Sequence, residues 1–109
     1  MAAHARQDSV PEQHAYVPIE RDAAESLART LRAVADPTRL QLLSMIAGAP
    51  EEEATVSDLA SSLGLSQPTV THHLKILVED GVLIRDRRGK HIWHQLAPER
   101  RDSVLDLLR

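Results

Sequence analysis

Five side chains between Gln67 and Lys75 have types and spacing that suggest chemistry: Gln67, Thr69, Thr71, His72 and Lys75. On a helix of 3.6 residues per turn they occupy the side left free by Val70, Leu74, Leu77 and Val78, which recur at core spacing. They offer an amide, two hydroxyls, an imidazole and an ammonium, with no acid among them. Short or planar groups of this kind suit base edges and phosphate oxygens.

The helix that must present them has marked ends. Ser66 is a good N-cap, Pro68 falls in the first turn where a missing N–H breaks no intrahelical bond, and Gly81 follows the last turn. A shorter helix precedes it, with Val56, Leu59, Ala60 and Leu63 on one face, and with Thr55 and Asp58 spaced as a capping box. Gly64 supplies the left-handed residue that stops it. Small Ala60, the bend at Gly64 and branched Val70 stand where a helix-turn-helix needs a close crossing, a sharp turn and a packed pivot.

The flanking segments complete the expected architecture. Residues 22–35 form an amphipathic helix with Ala24, Leu27, Ala28, Leu31 and Val34 on one side. Asp36-Pro37 opens the next helix, 37–47, with Leu40, Leu43 and Ile46 facing inward. Gly48-Ala49-Pro50 breaks it, and Glu51-Glu52-Glu53 reads as a solvated loop. After Gly81 the period falls to two. Residues 82–85 make one strand, 86–90 a turn with three cations, and 91–96 a second strand. This basic-tipped hairpin is a wing whose Arg87, Arg88 and Lys90 can reach flanking phosphates or the minor groove. A last helix, 98–108, carries Val104, Leu105, Leu107 and Leu108 with little of its own domain left to cover them. The first helix of a second copy would bury that face.

The expected fold is therefore mainly α with a small β-hairpin: a winged helix-turn-helix in the order α-α-α-α-β-β-α, homodimeric. Residues 1–19 form a flexible arm and 20–109 the DNA-binding and dimerisation domain. At 109 residues there is room for one small core, and with Tyr16 and Trp93 as its aromatic residues that core is aliphatic. The absence of cysteine excludes disulfides and thiolate sites. No apolar run approaches a membrane span and no signal segment opens the chain, so a cytoplasmic protein with no membrane partner is expected. There is no HExxH, nucleophile elbow or Gly-rich phosphate loop, which argues against an enzyme.

The net charge of −3 is unevenly distributed. Residues 1–65 hold five basic and ten acidic side chains, whereas 66–95 hold five basic and three acidic. The positive segment thus coincides with the helix and hairpin proposed to meet DNA, and for binding the local patch outweighs the total.

These features resemble the ArsR/SmtB family of bacterial winged-helix regulators. The resemblance is carried by Ala35-Asp36-Pro37-Thr38-Arg39-Leu40-Gln41-Leu42-Leu43, Asp58-Leu59-Ala60, the run from Ser66 to Lys75, Asp80-Gly81-Val82-Leu83 and the Arg-rich wing. It implies a homodimer joined by its first and last helices, with two recognition helices set for major grooves about 34 Å apart on a palindromic double-stranded operator. It further implies base reading by Gln67, Thr69, Thr71 and His72, with Lys75 and the wing cations on the backbone. Two of that family's sensors are missing. Thr55, Val56 and Ser57 stand where the thiol-sensing branch has Cys-x-Cys, and no histidine follows His94 to supply the last-helix ligands of the zinc- and cobalt-type branch.

Six histidines remain as possible sensors: His4, His14, His72, His73, His91 and His94. His91 and His94, three apart on a strand, project to opposite faces. If Met1 is removed, Ala2-Ala3-His4 presents a free amine, two deprotonatable amides and an imidazole, a square-planar nitrogen set suited to Ni(II) or Cu(II). With His14 the arm could complete a nitrogen and oxygen site for Ni(II), or for Zn(II) or Cu(II) after it. The alternatives are a regulator with no metal, controlled by abundance or a regulatory partner protein, and a protein-interaction adaptor built on the same fold.

Overall fold

The computed structural model describes residues 17–109; Ala2, Ala3, His4 and His14 lie outside them. The described residues run α1 (Arg21–Val34), α2 (Pro37–Gly48), β1 (Glu53–Thr55), α3 (Val56–Leu63), α4 (Gln67–Glu79), β2 (Leu83–Arg88), β3 (His91–Leu96) and α5 (Arg101–Leu107). Helices and hairpin follow the expected order. An added strand, β1, lies beside β3 and makes a three-stranded antiparallel sheet in the order β1-β3-β2. Short 3-10 turns at Pro50–Glu52 and Pro98–Arg100 are added too, the second taking the start of the expected last helix. None of the helices among the described residues is long and apolar enough to cross a membrane.

Local chemistry accounts for the helix starts. The Asp36 carboxylate accepts the Arg39 amide at 3.0 Å, with Pro37 entering behind it. Thr55 accepts from the Asp58 amide at 3.2 Å. Between them the chain is not a solvated loop. Glu51 and Glu52 take left-handed φ values of 60° and 55°, which are uncommon without glycine, and the turn leads directly into β1. Two 2.7 Å bonds from Arg101 hold Glu52 against α5, and Glu53 binds Arg88 and Gln95 on the other two strands.

The core is aliphatic. Leu42, Leu43 and Ile46 of α2, Leu59 of α3, and Val70, Leu74 and Leu77 of α4 are almost completely buried, closed from the sheet side by Val82, Leu83 and Leu96 and from α5 by Val104. At about 1.5–3 kcal/mol for each large side chain removed from water, this cluster holds α4 in place. Inward of α2 points Leu42 rather than Leu40, which is 37% exposed, because α2 tucks between α4 and the sheet. In α1 the inward residues are Thr30, Ala33 and Val34, while Leu27 and Leu31 of the apolar stripe remain exposed.

The hairpin also departs from expectation. Strand β2 extends through Asp86, Arg87 and Arg88, which pairs with His91, so the loop is only Gly89-Lys90. Gly89 adopts φ 61°, the left-handed conformation a two-residue loop favours at its first position. Pairing across the sheet overrides the turn-like charge of this segment.

Candidate nucleic-acid interface

The turn between α3 and α4 is closed by backbone bonds: Gly64, at φ 68°, donates to Ser61, and Leu65 donates to Ala60 at 3.0 Å. One residue later Ser66 caps α4, accepting the Thr69 amide at 3.2 Å and donating its own hydroxyl proton to Thr69 Oγ1 at 2.9 Å. The Thr69 hydroxyl keeps its proton for an outside acceptor. With Val70, Leu74 and Leu77 anchored, Gln67, Thr69, Thr71, His72 and Lys75 are all exposed on the opposite side.

His73 has a different environment from His72. It is half-buried, its Nδ1 lying 3.4 Å from an Arg39 nitrogen and 3.8 Å from the Asp36 carboxylate. Arg39 also donates to the Ala33 carbonyl at the end of α1. The Asp36-Pro37-Thr38-Arg39 run therefore joins α1, α2 and α4. The Arg39 amide, and then the charges of Arg39 and His73, hold the Asp36 carboxyl below its ordinary range against the opposing effect of burial.

Alternation along the wing sorts its cations by face. Arg88 binds Glu53, lies 3.1 Å from Asp86 and sits 4.7 Å from the Trp93 ring centre. Glu53 and Asp86 thus offset its charge, and the Arg88 bond is the first cause of the lowered Glu53 pKa. Arg85 and Arg87 fall on the other face, opposite His94 and Ile92 in register, and are exposed. Sequence does not single out Arg85, because a strand ending there leaves it no partner on its face; a strand running to Arg88 puts 85 and 87 on one side. Lys90 at the tip is exposed and, with His91, lines a groove of about 270 Å³ whose other wall includes Gln67 and Thr71. Helix and wing tip thus border one concavity.

No group of three or more histidine, aspartate or glutamate side chains able to hold a metal occurs among the described residues. His94 is buried, and its imidazole pKa is lowered to about 4, first by burial and second by the charge of Arg85. His91 on the other face is exposed.

Comparison with known proteins extends over most of the chain. Residues 36–85 match the family described as bacterial regulatory protein, arsR family. The HTH-type transcriptional regulator NmtR of Mycobacterium tuberculosis is 35% identical over 89 residues, covering 82% of this chain and 72% of that protein. HlyU from Vibrio cholerae superposes with a TM-score of 0.71 at 29% identity, over 82% of this chain and 94% of that one. The homodimeric winged helix-turn-helix DNA-binding domain of Mb0332 from Mycobacterium bovis gives 0.67 at 27% identity, over 86% and 83%.

Proposed function

The chain belongs to the arsR family of bacterial regulatory proteins, and we propose that its α4 helices, one from each subunit of a homodimer, read a palindromic operator. It is a winged helix-turn-helix transcriptional regulator that binds DNA, not an enzyme. The observation that carries the finer reading is the concavity shared by α4 and the wing, with Gln67 and Thr71 on one wall and Lys90 on the other. Gln67, Thr69, Thr71 and His72 meet base edges; Lys75, Arg87 and Lys90 meet phosphates. Arg88, at the tip end of β2 and bound back to Glu53, holds the hairpin in the shape that delivers its neighbours.

The dimer forms through α1 and α5. Leu27 and Leu31 on α1 and Leu107 on α5 are 49%, 44% and 51% exposed, and a second copy covers them. Residues 1–19 form an arm beside this domain, which works in the cytoplasm. A shift assay on duplex DNA from upstream of the chain's own gene tests the assignment: a saturable complex that survives excess unrelated duplex supports it, and binding removed equally by any duplex opposes it.

The signal we assign to a transition metal, nickel first and Zn(II) or Cu(II) after it, taken, once Met1 is removed, by the amine, amides and imidazole of Ala2-Ala3-His4 with His14. By type these donors fit such an ion, and in the complex they would supply a charge-dependent tie between arm and dimer. Calorimetry of the untagged chain beside one lacking residues 1–14 decides it. Nickel affinity lost with the arm supports the assignment. Equal affinity returns the protein to control by abundance or a partner protein.

A further inference from the structure

A second cavity, of about 290 Å³, lies between α4 and the wing, near the lower end of the range, about 300–1,000 Å³, of small-molecule sites. Val56, Val78 and Ile92 give it an apolar lining. Lys75, Glu79 and Arg85 also border it, one acid against two cations, and among the described residues none of the three is in an ion pair. The remaining polar lining is Thr71 and His94.

His94 is the anomaly. It is 4% exposed, and its Nδ1 has no hydrogen-bond partner. Buried polar nitrogens are nearly always paired, and an orphan calls for an explanation such as a ligand group that completes it. An apolar side chain of the same shape would fill the site without that cost.

We propose that this cavity binds a small acid with one carboxylate and an apolar body, of the aryl-carboxylate class. The single excess positive charge matches one carboxylate, received by Lys75 and Arg85 through charge-assisted bonds. Val78 and Ile92 pack against the ring, and a ring hydroxyl answers the polar side of His94. This step rests on the proposed function, in which Lys75 meets the DNA backbone: bound acid and DNA then compete for one ammonium, which makes the site an inducer site.

Salicylate, which combines a carboxylate, a ring and a hydroxyl, is the probe. Titrated into the full-length chain at fixed ionic strength, it should shift the His94 ring nitrogens in the ¹⁵N spectrum saturably, one molecule per chain. Acetate should not. Arg85→Gln should weaken the affinity about tenfold or more, and Val78→Phe, which fills the lining from the helix side, should abolish it. The absence of a saturable His94 shift, an equal response to acetate, or wild-type affinity in both variants would overturn the site. Saturating salicylate should also raise the DNA dissociation constant about tenfold; an unmoved value overturns the competition. Salicylate bound by a chain that never binds DNA would sink the operator reading and leave the cavity assignment standing.

Discussion

Arg88 is bound to Glu53 across the sheet, with its guanidinium 4.7 Å from the centre of the Trp93 ring. Its neighbour Arg87 lies on the opposite face of the same strand and has no such partner among the described residues. Two adjacent arginines on one hairpin therefore have separate work. Arg88 ties the wing to β1, and Glu52, through Arg101, ties the same turn to α5.

This separation predicts different salt responses. Each phosphate contact contributes about 0.9 to the slope of log affinity against log salt. Arg87→Ala should lower that slope by about one, measured with an unrelated duplex over a potassium chloride series. Arg88→Ala should change it by less than about half as much and instead lower the melting temperature. Equal slopes lost in both variants would mean that the Arg88–Glu53 pair opens on DNA.

The adjacent histidines should separate as well. His72 is exposed, so His72→Ala should alter stability by no more than about 0.5 kcal/mol. His73 meets Arg39 and Asp36, and His73→Ala should cost about 1 kcal/mol, read by urea unfolding. A stability loss confined to His72→Ala would reverse the two assignments.

Burial of His94 makes stability depend on pH. Its folded pKa is lowered to about 4, while the unfolded side chain titrates near 6.5. Below pH 6.5 the unfolded chain takes a proton that the native chain refuses, so stability falls with falling pH and the loss levels off near 4. At about 1.4 kcal/mol per pKa unit the loss approaches about 3 kcal/mol. His94→Leu should remove this component between pH 7 and 4 in denaturant midpoints; an identical pH profile in that variant would contradict it.

The exposed leucines of α1 and α5 predict the association state. Burying one leucine contributes about 1.5–3 kcal/mol, and in a two-fold dimer each substitution counts twice. Leu31→Glu should thus weaken dimerisation by roughly 100-fold or more, seen by sedimentation equilibrium. An unshifted dimer would place the interface elsewhere.

Much of this was legible in sequence because it is local. The caps at Asp36, Thr55 and Ser66, the stop at Gly64 and the stripe Val70-Leu74-Leu77 each act within a few residues of themselves. What sequence hid depends on distant partners. Strand β1 is three residues long, too short to show a period, and exists because Glu53 aligns with Gln95. Asp86, Arg87 and Arg88 have the composition of a turn, yet pairing with β3 extends the strand through them. The stripe of α1 was visible, but whether its own domain or a second copy covers Leu27 and Leu31 depends on how α1 lies on α2. The exposure of Leu40 in place of Leu42 has the same cause: a helix's apolar phase is set by what packs on it.

Base reading by the exposed row of α4 is tested most directly by comparing Thr71→Ala and His72→Ala with wild type on two duplexes, one from upstream of the chain's own gene and one unrelated. Each variant should lose about 1–3 kcal/mol of affinity for the upstream duplex and keep its affinity for the unrelated one. Wild-type affinity for the upstream duplex in both variants, or an equal loss on the two duplexes, would contradict it.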